Sequence, residues 1–197
     1  MKKLRKQIRG LIKETLLFEA KKDISEIQES FALIITKKAP IIDMILFDMK
    51  EDKIVGTISA IKYPKMKNFA ISTVAAEKGF GSLMYEIMMT YVNPIGIMPA
   101  RDGDVREGAY NVYKRFFDLR PDIKKQSLQE KDVDFSEEIA DMFSEEDEEF
   151  YILQTVYYYS FGKDKLKNVI INAKKLNPDK EKEVFNQASD FFTSKYD

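Results

Sequence analysis

The sequence contains no cysteine and no histidine. Without cysteine the chain cannot form disulfides, thiolate zinc sites or a cysteine nucleophile. Without histidine it lacks the usual general base, the Ser-His-Asp triad and most transition-metal sites. Any acid–base chemistry must therefore use carboxylates, tyrosine, lysine or water, and we expect no bound metal.

Long apolar runs and a strong net charge are absent as well. No apolar stretch approaches the roughly 18 residues that a membrane-spanning helix needs, and the start of the chain lacks the pattern of a secretory signal. Lysine and arginine number 32 against 33 acidic residues, a net charge of −1, so bulk charge argues against nucleic acid as a partner. We expect a soluble cytoplasmic protein with no membrane span.

The most informative stretch that is present runs over residues 68–117. Its first part, Phe69 to Ala75, is rich in branched residues and too short for a typical helix, which predicts a largely buried strand. Glu77-Lys-Gly-Phe-Gly-Ser82 follows, and apolar residues then recur at helical spacing as far as Tyr91. A second apolar strand lies within Pro94 to Pro99, and a second helix carries Ala109 to Phe117.

Glycines at a strand-to-helix junction let the backbone approach a ligand, and the free N–H groups of the new helix favour a phosphate. Gly79 and Gly81 therefore mark a candidate anion site, although they could equally just shape a tight connection. The dinucleotide fingerprint fails because Met84 stands where its third glycine belongs, and Gly-Lys-Ser/Thr of the P-loop never occurs.

The same stretch resembles the core of the GNAT superfamily of N-acetyltransferases, which transfer an acetyl group from acetyl-coenzyme A to an amine. The motif of that family is Arg/Gln-x-x-Gly-x-Gly/Ala after a splayed strand, followed by a strand and a helix reading Ala-x-x-x-Tyr. Here the two parts read Ala76-Glu-Lys-Gly-Phe-Gly81 and Ala109-Tyr-Asn-Val-Tyr113. The strand-like runs Ile41 to Asp48 and Lys53 to Ala60 match the central hairpin of the family.

The resemblance implies an α+β fold with a central, mixed but mostly antiparallel twisted sheet flanked by helices, and an acetyl-coenzyme A-binding core at 32–125. It assigns the acid that protonates the leaving thiolate to Tyr113, since a phenol with a reference pKa of about 10 stays protonated at neutral pH. It implies these cofactor-binding residues, largely through their main chain: Val74, Ala75, Lys78, Gly79, Phe80, Gly81 and Ser82. Asp102 and Asp104 are candidate contacts of the substrate amine, and no residue suggests itself as the general base.

Two segments flank this core. Residues 1–31 predict a basic amphipathic helix, which could be the first helix of the domain or could dock on a membrane surface, a nucleic acid, an acidic partner or a second copy of the chain. Residues 126–197 predict an acidic linker, a late strand over Phe150 to Phe161 and a carboxy-terminal pair of helices. The acidic stretch is either solvated or paired with the basic helix.

A second function class stays open, namely a GNAT-like fold that has lost catalysis and serves as a structural or interaction protein. Ala76 stands where the family has Arg or Gln, Phe116 stands at the first position of the Gly-Phe-like pair that closes the family's motif, and the base is missing. The start of the chain also resembles those of some proteins of tailed bacteriophages. On that reading the chain would be a virion component, found in the host cytoplasm or the particle.

Overall fold

The computed structural model of the chain describes residues 30–64, 66–100, 105–128, 148–159 and 175–195. Within these ranges seven strands form one sheet, and four helices accompany it. The predicted α+β class with a mixed, mostly antiparallel sheet is therefore confirmed. The predicted amino-terminal helix, most of the acidic stretch and the first of the two carboxy-terminal helices lie outside the described residues.

The elements follow one another in the order β1 (Phe31–Lys38), β2 (Ile41–Asp48), β3 (Lys53–Ile61), β4 (Phe69–Ala76), α1 (Gly81–Tyr91), β5 (Ile97–Met98), α2 (Glu107–Leu119), β6 (Ile123–Ser127), α3 (Glu148–Leu153), β7 (Thr155–Tyr159) and α4 (Pro178–Ser194). None of the helices in the described ranges is both long and apolar enough to cross a membrane.

The strands lie in the order β1-β2-β3-β4-β5-β7-β6. Every neighbouring pair is antiparallel except β4 and β5, which are parallel. That parallel pairing is limited to Phe69 with Ile97 and Ala70 with Met98. Beyond Ala70 the two strands separate, so the sheet is split in its middle.

The β2–β3 hairpin has the strand limits that the sequence predicts, to within one residue. Its polar turn is held by Asp48, whose Oδ1 accepts the N–H groups of Lys50 at 2.9 Å and Glu51 at 3.2 Å. Asp52 closes the turn at a φ of 50°, a left-handed conformation that aspartate tolerates better than most residues.

Both faces of the sheet are covered. The first core lies under α1 and α2 and includes Met44, Leu46, Ile58, Ile71, Met84, Met88, Tyr113, Phe116 and Tyr157. The second core lies under α4 and consists of Ala32, Ile34, Ile45, Phe47, Ile54 and Val184. The predicted last helix is present, and it packs on a face of the sheet through Val184. Asn177 caps it by accepting the N–H of Lys180 at 2.8 Å.

The predicted strand over 150–161 is wrong in its first part. Residues up to Leu153 form the end of α3, and only β7 is extended. Thr155 Oγ1 donates to the carbonyl of Tyr151 at 2.6 Å, which satisfies an acceptor of the last helical turn. A short apolar run fits a buried helix and a buried strand equally well, so its composition could not separate them.

A polar cluster joins α1, the end of α2 and the last two strands. The Arg120 guanidinium contacts both carboxylate oxygens of Glu86 and donates from Nε to Asp122 Oδ1 at 2.8 Å. Tyr159 donates its hydroxyl to Glu86 Oε2 at 2.8 Å. Burial, and then the negative charge of Glu86, raises the pKa of the Tyr159 phenol. Burial lowers the pKa of Arg120, but its hydrogen bonds to Asp122 and Glu86 outweigh this and raise it.

Candidate functional site

The split between β4 and β5 opens a cleft of about 570 Å³. One wall is the β4 segment from Ile71 to Ala76. On the face of α1 and α2, the lining residues are Gly81, Tyr85, Val105, Arg106, Gly108, Ala109, Val112 and Tyr113. Phe192 and Lys195 of α4 line it on the opposite face. The cleft is therefore lined from both faces of the sheet.

The β4 wall presents its main chain to the cleft at alternate residues. Glu77 donates its N–H to the carbonyl of Val55 at 2.9 Å, which makes these two a hydrogen-bonded pair of the antiparallel ladder. Because such pairs alternate with pairs whose main-chain groups point the other way, Val74 and Ala76 direct their N–H and C=O groups away from β3. Those of Ala75 are directed at β3, although Ala75 also lines the cleft.

The glycine turn leads from β4 into α1. Gly79 has a φ of 90°, which a residue with a side chain rarely adopts. The N–H of Phe80 donates to the carbonyl of Glu77 at 3.0 Å, and that of Met84 donates to Phe80 at 3.1 Å. Within the described chain, the N–H groups of Gly81, Ser82 and Leu83 have no main-chain acceptor, as is usual for the first turn of a helix.

A second hollow of about 530 Å³ continues from the cleft along α2. It shares Gly81 and Val112 with the cleft and is also lined by Gly79, Ser82, Asn111, Lys114, Arg115, Asp118 and Leu119. Two cations thus lie across from the first turn of α1, where a helix dipole also favours an anion. Lys114 forms an ion pair with Asp118 at 3.5 Å, within the same helix.

Tyr113 lies at the inner side of the cleft between two other tyrosines. Its ring centroid is 5.2 Å from that of Tyr85, nearly edge-on, and 5.2 Å from that of Tyr157. Its side chain is 1% exposed, and the hydroxyl oxygen is buried. Tyr157 is fixed in turn by donating its hydroxyl to the carbonyl of Ile152 at 2.8 Å. The ring stack holds Tyr113 in place while its position on α2 keeps it beside the cleft.

The end of α4 is fixed to the glycine turn. Lys195 Nζ lies 2.8 Å from Glu77 Oε1, and it also lies 5.4 Å from the ring centroid of Phe191. At the other end of the helix, Lys180 pairs with Asp52 at 3.0 Å. These contacts hold Phe192 and Lys195 at the mouth of the cleft.

The predicted site residues are brought together only in part. Val74, Ala75, Gly81 and Tyr113 line the cleft, while Gly79 and Ser82 line the adjoining hollow. Lys78 is exposed beside the turn and lines neither. The Phe80 side chain is 4% exposed and packs against Phe31 in the first core, and its N–H is used within the turn. Asp102 and Asp104 lie outside the described residues.

Sequence reasoning missed the basic side of the site. Asn111, Lys114, Arg115 and Asp118 are spaced by three, four and seven residues, which places them on one side of α2, so helical periodicity could have found them. Phe192 and Lys195 carried no such signal, because they reach the cleft only through the tertiary fold.

In the described ranges, no three acidic side chains come together in a way that could hold a metal ion. The chain was also compared with known proteins. No protein-family model matches this sequence, and no curated protein matches it significantly.

Proposed function

We propose that this protein binds acetyl-coenzyme A in the split of its sheet and transfers the acetyl group to an amine. The observation that carries the proposal is the parting of β4 from β5 beyond Ala70, directly before a glycine turn and a helix start. This is the order of the motif that the sequence resembles, a splayed strand followed by Gly-x-Gly and a helix. Tyr113, the tyrosine of the second half of that motif, lines the same cleft.

The shape and chemistry of the two hollows suit the parts of acetyl-coenzyme A. Its amide-bearing arm can run along β4, where Val74 and Ala76 direct main-chain groups toward the gap. Its diphosphate fits the first turn of α1, where main-chain N–H groups and the helix dipole favour negative charge. Lys114 and Arg115 add positive charge on the opposite side of the second hollow. The acyl end then lies near Tyr113.

Acetyl-coenzyme A supplies the thioester carbonyl and a thiolate leaving group. Tyr113 is the acid that we assign to the leaving sulfur, because it lines the cleft and its phenol is shielded from bulk water. Tyr85 lines the same cleft from α1 and holds the Tyr113 ring by an edge contact. Tyr113 would thus affect the chemical step, whereas Tyr85 would affect only packing.

Gly81→Leu is expected to weaken binding of acetyl-coenzyme A by at least about 10-fold, or roughly 1.4 kcal/mol. A Cβ built at Gly81 meets no atom within 4 Å, so the added side chain would project into the space between the two hollows without a clash inside the protein. Calorimetry with acetyl-coenzyme A measures the affinity. Gly81→Ala should give an intermediate loss, since it fills less of the groove.

The matched control is Asn186→Leu, which adds the same side chain at an exposed position of α4. It should bind as tightly as the wild type, and all three variants should keep the wild-type melting temperature. Equal affinity of Gly81→Leu and wild type would place the ligand elsewhere. A wild type that gives neither heat nor a thermal shift at millimolar acetyl-coenzyme A would refute the proposal.

Tyr113→Phe is expected to lower kcat by about 100-fold while leaving the affinity for acetyl-coenzyme A nearly unchanged, because only the proton donor is lost. The control is Tyr85→Phe, a second buried tyrosine of the same cleft, which should keep its kcat. Release of free thiol from acetyl-coenzyme A, in the presence of a panel of amines, measures turnover. Equal rates in the two variants would remove Tyr113 from the mechanism.

A non-catalytic interaction protein is the second candidate, and the buried hydroxyl of Tyr113 favours it, because solvent restores the proton of an enclosed group slowly. Ala76 in place of the family's Arg or Gln points the same way. If this candidate is right, the protein binds acetyl-coenzyme A but releases no free thiol in the presence of any amine of the panel.

A further inference from the structure

Strand β2 carries an aspartate at an unusual place. Asp43 lies between Ile42 and Met44, both buried in the first core, within a strand that is otherwise largely apolar. Its side chain is on the opposite face, since Ile45 and Phe47, two and four residues further on, belong to the second core under α4. Aspartate is depleted in strands. Where a residue breaks the local rule of its element, a functional reason is a natural hypothesis.

A row of polar side chains connects Asp43 to the cleft. Asp43 is paired in register with Ser59 of β3, and Ser59 Oγ donates to Asp43 Oδ1 at 2.5 Å. Ser59 is in turn paired in register with Thr73 of β4, which lines the cleft. Directly opposite residues of an antiparallel pair share a face. Carboxylate, serine and threonine therefore follow one another across three strands on the α4 face.

The bulge in β4 brings a second hydroxyl to this row. The register of β3 and β4 shifts between Ser59 and Ala60, so that Ser72 is the extra residue on β4. Its Oγ donates to the carbonyl of Ser59 at 3.3 Å. Ser72 and Thr73 are consequently both exposed and both line the cleft, where an unbroken strand would turn one of them to the other face.

We propose that Asp43 accepts the proton of the acceptor amine, acting through Ser59 and one water held beside Thr73. The inference rests on the acetyl transfer proposed above. An amine attacks a thioester only in its neutral form, so a base must take its proton. None of the described residues that line the cleft is acidic, and its charged members there are Arg106 and Lys195. The hydroxyl of Ser59, which is hydrogen-bonded to Asp43, connects this carboxylate toward the cleft.

Strand spacing determines how Asp43 can act. Neighbouring strands lie about 4.8 Å apart, so Asp43 is about 10 Å from β4 and cannot touch the amine itself. A serine hydroxyl and one water, each a hydrogen bond long, span that distance. Asp43 is accordingly a positioning residue, and an amine reaching Thr73 would enter from the face on which α4 supplies Phe192.

The transfer balances in atoms and charge. The ammonium form of the amine gives one proton to the water, the water gives one to Ser59 Oγ, and Ser59 passes its own proton to Asp43 Oδ1. The neutral nitrogen then bonds to the carbonyl carbon as the carbon–sulfur bond of the thioester breaks. The departing thiolate takes the proton of Tyr113, and the new amide nitrogen releases its remaining extra proton to solvent. Solvent then takes the proton from Asp43 and returns one to Tyr113.

Asp43→Asn is the decisive variant, because the amide oxygen can still accept from Ser59 but is no longer a base. We expect kcat to fall by about 100-fold with the affinity for acetyl-coenzyme A and the melting temperature unchanged. Asp43→Glu should recover part of the rate. The assay is thiol release with spermidine, a peptide with a free amino terminus and a lysine-containing peptide as acceptors. Asp48→Asn is the control, since Asp48 lies on the same strand but binds the hairpin turn.

The outcomes separate the two proposals. If Asp43→Asn and Asp48→Asn turn over equally fast, the proton path is wrong while acetyl transfer stands. A parallel loss of affinity and melting temperature in Asp43→Asn, with no recovery in Asp43→Glu, would make the pair structural and also overturn the path. A wild type that binds acetyl-coenzyme A but acetylates none of the acceptors overturns the path in favour of the non-catalytic protein. Failure of the wild type to bind acetyl-coenzyme A removes both proposals.

Discussion

Gly96→Ala is expected to lower the free energy of unfolding by about 3 kcal/mol, the sum of backbone strain and overpacking. Gly96 precedes β5 at a φ of 87°. A Cβ there would lie 2.8 Å from Val156 Cγ1 and 2.9 Å from the Tyr157 carbonyl oxygen, and the second of these atoms is main chain and cannot swing aside. Urea unfolding followed by circular dichroism measures the change.

Two other glycines separate the causes. Gly79→Ala meets the same strain, at a φ of 90°, but its Cβ has no atom within 4 Å, so it should cost only about 1–2 kcal/mol. Gly108→Ala has neither strain nor a close contact and lies in the first turn of α2, so it should be neutral or slightly stabilising. If Gly96→Ala costs no more than Gly79→Ala, β5 and β7 are not as closely packed as described.

Arg120→Met is expected to cost about 2–4 kcal/mol, because it leaves the Glu86 carboxylate largely buried without its cation. The side chains of Arg120 and Glu86 are only 13% and 16% exposed, so solvent screens their attraction weakly. Arg120 also joins Glu86 to Asp122, and its loss loosens the contact between α1 and the last two strands. Chemical unfolding measures the loss.

Lys114→Met is the matched control on the same helix. Its ion pair with Asp118 has side chains that are 35% and 38% exposed, so its removal should change stability by less than about 1 kcal/mol. The double variant Glu86→Gln with Arg120→Met should be more stable than Arg120→Met alone, since no uncompensated charge remains. A double variant as unstable as the single one would show that Arg120 acts by packing and not by charge.

The parts of the fold that the sequence predicts are those coded by neighbouring residues. The β2–β3 hairpin consists of two runs rich in apolar and β-branched residues on either side of a polar turn, and Asp48 binds that turn with its own side chain. The passage from β4 through Gly79 into α1 is likewise a local pattern of branched residues, glycines and helical spacing. In both cases the secondary-structure propensity, the hydrophobic pattern and the turn residues favour the same local structure, and the tertiary contacts are compatible with it.

Elements that depend on distant partners escaped prediction. Strand β6 reads Ile-Lys-Lys-Gln-Ser, with only Ile123 buried, and is extended because it pairs with β7 at the edge of the sheet. Charged residues are common on edge strands, so the hydrophobic pattern of the sequence does not reveal such a strand. The apolar run before β7 was predicted as a strand but is helical. Ile152 and Leu153 are buried, and a buried apolar run of this length fits a helix and a strand equally well.

The candidate site likewise has parts that local sequence patterns predict and parts that depend on contacts between distant residues. The glycine turn and Tyr113 belong to local motifs and could be proposed from the chain alone. Lys195 meets Glu77 from 118 residues away, and no periodicity encodes that contact. Asp43 and Ser59 are joined only by the register of two strands, which depends on the whole hairpin and on the bulge beside it.

The late position of β7 in the chain has a consequence for synthesis on the ribosome. A nascent chain that has been synthesised as far as Leu128 already contains β4, the glycine turn, β5 and β6. Yet β6 hydrogen-bonds to β7 alone among the described strands, and β5 contributes two residues to its pairing with β4. Strands β5 and β6 therefore lack the neighbour that they share until Thr155–Tyr159 emerges from the exit tunnel, and the cleft residues Phe192 and Lys195 emerge later still. The growing polypeptide acquires a complete pocket only after residue 195 has left the exit tunnel.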